Sequence, residues 1–542
     1  MKLNKEKATE ELNAKCSLCF GCDISEATEQ QIYKSLCMVL RDILSEKNNA
    51  FNRNVSASEE KQVYYMSMEF LVGTSLHNNL FNLGIEDTFK SALADIGVDI
   101  EKLYEIEPDA GLGNGGLGRL ASCYMDSASS LGYPVTGFSI RYEFGVFKQK
   151  IVDGWQMEFP DDWLGLGDVW LTPRTDESVE VRFGGQVEET WTDGKYKPIH
   201  KNYDTVIAIP YDMLISGYNS NAVNKLVLWS AKSPKSLDMT AFSRGEYVKS
   251  LEENTMAEVI SKILYPADDH EDGKRLRLRQ QYLLVSASLQ SILSKHMKKY
   301  KTLDNLAEKV AVHINDTHPS LCVPELMRIL MDNYGYGWDD AWEITCNTLT
   351  YTNHTVMSEA LERWSEGLFR EIMPRVYQIV CEINRRLFIH LNSVYSGDIP
   401  KIEYMSVISN GEIRMANLCL ACCHKVNGVS KLHSKILTES IFRDYYNIKP
   451  EKFTNVTNGI AYRRWLCQSN PALTDFLSDL IGDGFKKNAS ELSKLMAYKG
   501  NKDVLAELRR IKHGNKIHLA EYISKTSGIN VDPDSIFDVQ VK

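Results

Sequence analysis

Between Thr28 and Lys47 the apolar side chains Ile32, Leu36, Val39, Leu40 and Ile43 recur at intervals of three and four, the spacing that gathers them on one face of an α-helix. From Val135 to Val227 the period shortens. Runs such as VEVRFGGQVEETW (179–191), DTVIAIPYDM (204–213) and NKLVLWSAK (224–232) are broken by Gly-Gly, Asp-Gly and Pro, which predicts strands and hairpins. Helical spacing returns in LRQQYLLVSASLQSILSKH (278–296) and VPELMRILMDN (323–333). Between them EKVAVHINDTHPS predicts a short buried strand over Val310 to Ile314, ending in polar residues at the tip where open α/β sheets hold ligands. At the end of the chain SIFDVQVK reads as a strand through Ile536, Phe537, Val539 and Val541. It pairs back onto the main domain or begins a second one, because a lone strand has no sheet of its own. The pattern as a whole predicts a large α/β domain with no fixed-period repeat.

Length and composition narrow the function classes. A chain of 542 residues is too long for one ordinary domain and holds a sizeable core. With 62 Lys plus Arg against 72 Asp plus Glu the net charge is −10, and the basic cluster KHMKKYK (295–301) merely ends a predicted helix. A nucleic-acid surface is not expected. No 18-residue apolar run and no apolar leader after MKLNKEKATEELNAK is found, so no membrane partner and a cytoplasmic location are expected. Twelve cysteines are scattered, apart from Cys422 with Cys423 and the run CSLCFGC. There Cys16, Cys19 and Cys22 have the C-x-x-C spacing of a metal or cluster site. No fourth ligand follows at a matching spacing, since Cys37 lies on the apolar face of the next helix, so reduced thiols and no metal are the favoured reading.

GLGNGGLGRL (111–120) fits the G-x-G-x-x-G fingerprint twice, at Gly111, Gly113 and Gly116 and at Gly113, Gly115 and Gly118. The dinucleotide reading needs a strand before the glycines and an acidic residue about 20 positions on. EKLYEIEPDA, with four acidic residues and a proline, is a poor buried strand, and no Asp or Glu sits near the downstream position. Leu120, Tyr124 and Ala128 do mark one face of a helix. A glycine loop opening a helix remains, suited to a phosphate or a sugar that approaches the main chain closely, or simply a turn.

Other polar clusters are individually weak. In LYPADDHEDGKRLRLR, Asp268, Asp269 and His270 precede a basic helix start; adjacent carboxylates suit acid/base work, or form a solvated loop. In YTNHTVMSEALERW, His354 stands just before a predicted helix with Thr355 near its cap. NVTNGIAYRRWL joins a turn at Asn458-Gly459 to Arg463, Arg464 and Trp465. Trp155, Trp163 and Trp170 crowd GWQMEFPDDWLGLGDVW, as sugar platforms or as core and hairpin residues.

In this order, EPDAGLGNGGLGRLASCYMDS, GFSIRYEFGVFKQKIVDGWQMEFPDDWL, HINDTHPSLCVPELMRIL, YTNHTVMSEALERW and NVTNGIAYRRWL resemble the α-glucan phosphorylases, the glycogen, starch and maltodextrin phosphorylase family. The resemblance runs from about residue 28 to the last. It implies the GT-B glycosyltransferase architecture of two Rossmann-like domains around a cleft, with an N-terminal segment 1–27, an α/β catalytic domain 28–459, and in 460–542 the start of the second domain. The implied activity is transfer of the terminal glucose of an α-1,4-glucan to inorganic phosphate, giving glucose 1-phosphate, with pyridoxal 5′-phosphate as cofactor in a homodimer. By resemblance Asn114, Gly115, Gly116 and Leu117 contact the substrate phosphate and the cofactor. Asp268 and Asp269 cover the glucosyl subsite, although the second is often Asn in the family. His354 and Thr355 contact the sugar at the cleavage point, Asn458 holds its 6-hydroxyl, and Trp465 walls the cofactor pocket. Leu71 stands where several animal enzymes have Tyr, a choice familiar in bacterial maltodextrin-type members. In such enzymes the cofactor phosphate exchanges a proton with the substrate phosphate, in place of the paired carboxyl groups of glycosidases. Protein groups then position reactants and stabilise charge in a dry cleft.

One part of the pattern is missing. The family attaches its cofactor through a lysine in a motif of the type E-A-S-G-T-G-N-M-K, which this sequence does not contain. Residues 1–27 also lack the phosphorylatable tail of regulated animal enzymes. The expectation is therefore an N-terminal portion of a phosphorylase, without covalent cofactor or turnover by itself. The alternatives are a non-catalytic glucan-binding or dimerising module from a truncated gene, and an α-glucan hydrolase using Asp268 or Asp269.

Overall fold

The computed structural model describes residues 3–192, 195–235 and 237–539. Ten strands share its main sheet: β1 (Gln62–Met66), β2 (Val135–Ile140), β3 (Leu171–Pro173), β4 (Val179–Phe183), β5 (Asp204–Ser216), β6 (Val223–Lys232), β7 (Val310–Asn315), β8 (Leu349–Thr352), β9 (Lys425–Gly428) and β10 (Phe453–Asn455). The order across the sheet is β10-β9-β8-β7-β1-β2-β6-β5-β3, with β4 also paired to β5. From β10 to β6 every pair is parallel. The long β5 turns the far edge antiparallel to β6, β3 and β4.

The chain leaves β1 toward β2 and β6, then returns to place β7 on the other side of β1 and continues outward through β8, β9 and β10. Strand order therefore reverses between β1 and β7, and crossovers diverge there, opening a crevice at the carboxyl tips of the two strands. Both faces of a parallel sheet must be covered. One cover is the helix Glu271–Tyr300, which buries every residue from Gln280 to Leu289 and packs against β2, β4 and β6. A helix buried all round in this way belongs to a core. Another cover, the helix Gly116–Leu131, lies against β2, β5 and β6.

The amphipathic helix predicted from Thr28 runs past Lys47 to Ser58, and Thr28 with Gln31 closes a capping box at its start. Ile32, Leu36, Val39 and Leu40 are buried in a second apolar cluster with Phe89 and Leu103. The N-terminal helix Lys5–Phe20 adds Ala8, Leu12 and Cys16 to that cluster, so the first residues pack on the α/β body. Helix geometry also separates the C-x-x-C thiols: Cys16 is buried against Ser35 Oγ at 3.2 Å while Cys19 is exposed. All twelve cysteines are free, and among the described residues no His, Cys, Asp or Glu cluster could hold a metal. No helix among them is long and apolar enough to cross a membrane.

Among the described residues, no strand is formed in the run expected over Ile536 to Val541. Ile536 to Val539 have no regular structure, with Ile536 98% exposed, and Val541 lies outside the described residues. Without a sheet edge to pair with, β-prone side chains cannot satisfy their backbone groups in a strand. Residues beyond 460 instead form helices around a small separate cluster of Cys467, Leu477 and Phe485. Two arginines tie this segment to the sheet side. Arg463 pairs with Asp126 on the Gly116–Leu131 helix at 2.6 Å, both largely buried, and Arg464 donates twice to the Thr74 carbonyl at 3.0 Å.

Removing one member of a buried ion pair leaves the other without a counter-charge, at a cost of about 3–5 kcal/mol. Asp126→Ala is expected to lose that much in urea unfolding, whereas the double variant with Arg463→Met recovers most of it.

Candidate functional site at the strand-order reversal

The helix Ile100–Ile106, not a strand, precedes the glycine loop, which removes the dinucleotide reading as expected. The five loop glycines divide into two kinds. A Cβ on Gly111 would meet Trp163 Cδ1 at 2.5 Å, one on Gly113 the Leu71 backbone nitrogen at 2.6 Å, and one on Gly118 the Glu69 carboxylate at 2.7 Å. Gly115 and Gly116 would meet nothing within 4 Å. The first group is required by packing, while the second leaves bare main chain at the start of the Gly116–Leu131 helix. No side chain caps that helix, so its first-turn N–H groups, including those of Gly116 and Leu117, are left for an outside acceptor.

Glu69, just past β1 and 4% exposed, holds the loop in place. Its Oε2 accepts from the backbone N–H groups of Asn114 at 2.6 Å and Gly115 at 3.2 Å, and its Oε1 accepts from the Tyr265 hydroxyl at 2.9 Å. The network continues across the strand tips. Ser67 Oγ donates to the Glu69 carbonyl at 2.9 Å, Asn315 Nδ2 donates to Ser67 Oγ at 2.9 Å, and Asn315 Oδ1 faces His354 Nε2 at 2.8 Å. With the Asn315 oxygen accepting, His354 donates through Nε2 and keeps the lone pair on Nδ1. Burial lowers the pKa of His354, helped by His433 and His318 and opposed by Asp316 and Glu69, so the ring is neutral at pH 7.

Beneath it, His313 on β7 is clasped by Thr350 and Thr352 hydroxyls at 2.7 and 2.6 Å and stacks on Tyr65 at 5.2 Å. Burial, with His354 adding, pulls its pKa down to about 4. Two non-glycine residues at the crevice, Tyr265 and Asp316, have φ of 53° and 60°, a strained region that persists where surrounding contacts impose it. Asp316 is pinned by its N–H on the Thr352 carbonyl at 3.0 Å.

Of the residues expected from sequence, Asn114, Gly115 and His354 belong to this network, with Gly116 and Leu117 beside it. Thr355 follows His354, its N–H held by Asn353 Oδ1 at 3.0 Å. Asn458 lies exposed beyond β10, its N–H on the Val429 carbonyl at 3.0 Å. Asp268 reaches the network indirectly: Arg277 pairs with it at 2.5 Å and lies 5.7 Å over the Tyr265 ring. Asp269 is 87% exposed, with His270 at 4.0 Å. Trp465 is half exposed, between the tethered Arg464 and the rest of its turn.

The helix expected after His354 is a single turn, Ser358–Ala360, because Val356 and Met357 remain exposed and no apolar face is buried. Trp163 and Trp170 fill the interior, their indoles donating to the Tyr142 carbonyl and to Glu107, whereas Trp155 is exposed on the hairpin Lys148–Val152 with Trp155–Phe159. Sequence reasoning missed Glu69, Ser67, Tyr265 and Asn315. The available signal was an acidic residue inside the apolar run YYMSMEFLV.

Fold and site together define an open α/β protein whose crevice, where its strand order reverses, has donors suited to an anionic or hydroxyl-rich small molecule. The sequence matches the family described as Carbohydrate phosphorylase over residues 93–542. It is 43% identical over 539 residues to the glycogen phosphorylase of Bacillus subtilis (strain 168), covering 99% of this chain and 66% of that protein. It is 41% identical over 531 residues to the muscle form of glycogen phosphorylase from Bos taurus, covering 96% and 63%. Against the brain form from Homo sapiens it is 41% identical over 532 residues, covering 96% and 62%. The chain belongs to the carbohydrate phosphorylase family, of GT-B architecture, and spans just under two thirds of the length of these relatives.

Two measurements probe the site. Gly113→Ala is expected to cost about 1–3 kcal/mol, since backbone must move, while Gly116→Ala leaves thermal unfolding unchanged or slightly raised by helix propensity. For His313 the folded pKa lies below the unfolded value near 6.5, so the unfolded chain takes up the proton first. Stability is then full above about pH 6.5, falls by about 3 kcal/mol as pH drops to about 4, and levels off below. His313→Gln should flatten that limb in pH-dependent unfolding.

Proposed function

We propose that this chain is the glucan- and phosphate-handling portion of an α-1,4-glucan phosphorylase, the activity that moves a terminal glucose of the glucan onto inorganic phosphate to give glucose 1-phosphate. The observation that carries the reading is the bare main chain at Gly115 and Gly116, fastened through Glu69, Ser67 and Asn315 to a neutral histidine at one crevice. The names of the relatives supply the chemistry that such a crevice would serve.

In this reading the uncapped helix N-terminus places N–H groups toward the phosphate oxygens, stabilising charge that develops during transfer. His354 and Thr355 hold the sugar at the bond to be cleaved, Asn458 takes its 6-hydroxyl, and Asp268, oriented by Arg277, covers the glucosyl subsite. Each neutral hydrogen bond adds about 0.5–1.5 kcal/mol. Asp269 has the least support, being solvated. Glu69 and Tyr265 set the loop.

The residues present suit pyridoxal 5′-phosphate. An open glycine face, the half-exposed Trp465 indole, and buried Nε–H groups of Arg119 and Arg463 with no partner among the described residues fit a flat aromatic phosphate. Asn114, Gly115, Gly116 and Trp465 would hold it. When bound, it supplies a phosphate that shuttles a proton to and from the substrate phosphate. The sequence holds no lysine motif of the family type, so covalent attachment there is not a property of these residues. Self-association belongs to the proposal and is supported by exposed Phe242, Tyr247, Val248 and Leu251 on the helices Met239–Ser243 and Tyr247–Glu258. A cytosolic homodimer is the setting we infer, and 460–542 the start of a second domain, in line with its separate apolar cluster.

The test combines calorimetric titration of the 542-residue protein with maltoheptaose and phosphate, and a glucose 1-phosphate assay after incubation with pyridoxal phosphate and dialysis. Expected are glucan binding that His354→Ala weakens about tenfold, no retained cofactor and no turnover. Free glucose released without phosphate, or no binding of glucan, would overturn the reading.

A further inference from the structure

A second cavity, of about 320 Å³, shares no lining residue with the crevice. It opens between β4, the strand Ile199–Lys201, the helix Glu271–Tyr300, the turn after the helix Cys322–Arg328, and the start of the helix Pro374–Tyr395. Its size is at the small end of small-molecule pockets, and its walls are mainly polar.

Two arginines in the wall are clamped in the same way. Arg328 donates through Nε and Nη2 to both oxygens of Glu325 at 2.7 and 2.8 Å, and Arg375 through Nε and Nη2 to both oxygens of Asp332 at 2.8 Å. Glu325 is fully buried and also accepts from Tyr282 and Ser286 hydroxyls at 3.0 and 2.7 Å, so the first clamp is rigid. Buried bidentate pairs of this kind add little net stability over apolar residues of the same volume. What they do fix is orientation. Each guanidinium has five N–H groups; the clamp takes two, and a side-chain amide takes at most one, Asn333 at 3.5 Å or Gln378 at 3.1 Å. The remaining edge of each has no hydrogen-bond partner among the described residues.

The third arginine is different. Arg182 lies 4.4 Å over the Tyr203 ring and has no hydrogen-bond or carboxylate partner among the described residues. His200 stands among these cations, its Nε2 donating to the Gly184 carbonyl at 2.7 Å and its Nδ1 keeping a lone pair. Burial, with Arg182 and Arg328 adding, keeps that ring neutral, while Asp332 opposes. Glu180 is the remaining charged group in the lining, exposed and with no ion-pair partner among the described residues.

We propose that this cavity is a binding site for a small phosphate monoester, its oxygens taken by the free edges of Arg328 and Arg375 and by Arg182. Guanidinium forks match phosphate geometry, and two of the three are already immobilised, so little side-chain freedom is lost on binding. The class of ligand follows from three guanidinium forks in the lining of one cavity, one of them without a carboxylate partner among the described residues. A neutral polyol would gain nothing from Arg182.

The experiment is calorimetric titration of the 542-residue protein with glycerol 3-phosphate, with glycerol and inorganic phosphate as comparisons. Wild-type protein is expected to bind the ester and not glycerol. Arg182→Ala is expected to weaken ester binding at least tenfold, and Glu180→Gln to tighten it severalfold by removing a like charge. Both positions are exposed, so circular dichroism should show an unchanged fold. If the two variants titrate as wild type does, the phosphate is being taken at the glycine crevice and the proposal is overturned. Equal binding of glycerol, or binding of inorganic phosphate without the ester, would overturn it as well.

Discussion

A carboxylate buried beneath a loop of glycines must find donors or pay a large desolvation cost, and Glu69 finds three, two of them backbone N–H groups. That requirement organises the crevice. The loop cannot lift away without stranding the charge, Tyr265 cannot relax its left-handed backbone without surrendering its hydroxyl contact, and the Ser67 and Asn315 side chains carry the same constraint over to His354. The functional groups of four chain segments are thus set by one buried acid that belongs to none of the sequence motifs first singled out.

The electrostatics of the molecule follow a common theme. His313, His354, His433 and His200 are all pushed toward the neutral form, with burial the largest cause for each. Neutral imidazoles beside hydroxyl-rich ligands offer one donor and one acceptor without drawing in counter-ions. Fixed positive charge is supplied instead by arginines that carboxylates hold still, at Arg463 with Asp126 and at Arg328 with Glu325.

How much of this was legible depended on distance along the chain. The helix starting at Glu29 and the strand β7 were readable because their periodicity is local. The meeting of β1 with β7 joins Met66 to Ile314, and no local pattern reports a pairing across so long a separation. For the same reason nothing local marks Glu69 as an anchor, since its partners Asn114 and Tyr265 lie 45 and 196 residues further along the chain. The His354 loop resisted prediction because it is held by Asn315 and Asn353 rather than by an apolar face. The C-terminal run Ile536 to Val539 had strand-forming residues but no neighbour, which composition cannot reveal.

The two arginines form a mechanical tether. Arg463 grips the middle of the helix that the glycines open, and Arg464 grips the carbonyl of Thr74 on the strand-tip side of the same loop. Any swing of the segment beyond residue 460 therefore pulls on the helix and on Thr74 at once. A displacement of that segment would then reach the bare main chain of the glycine loop through two side chains alone, with no need for a signal to pass through the sheet.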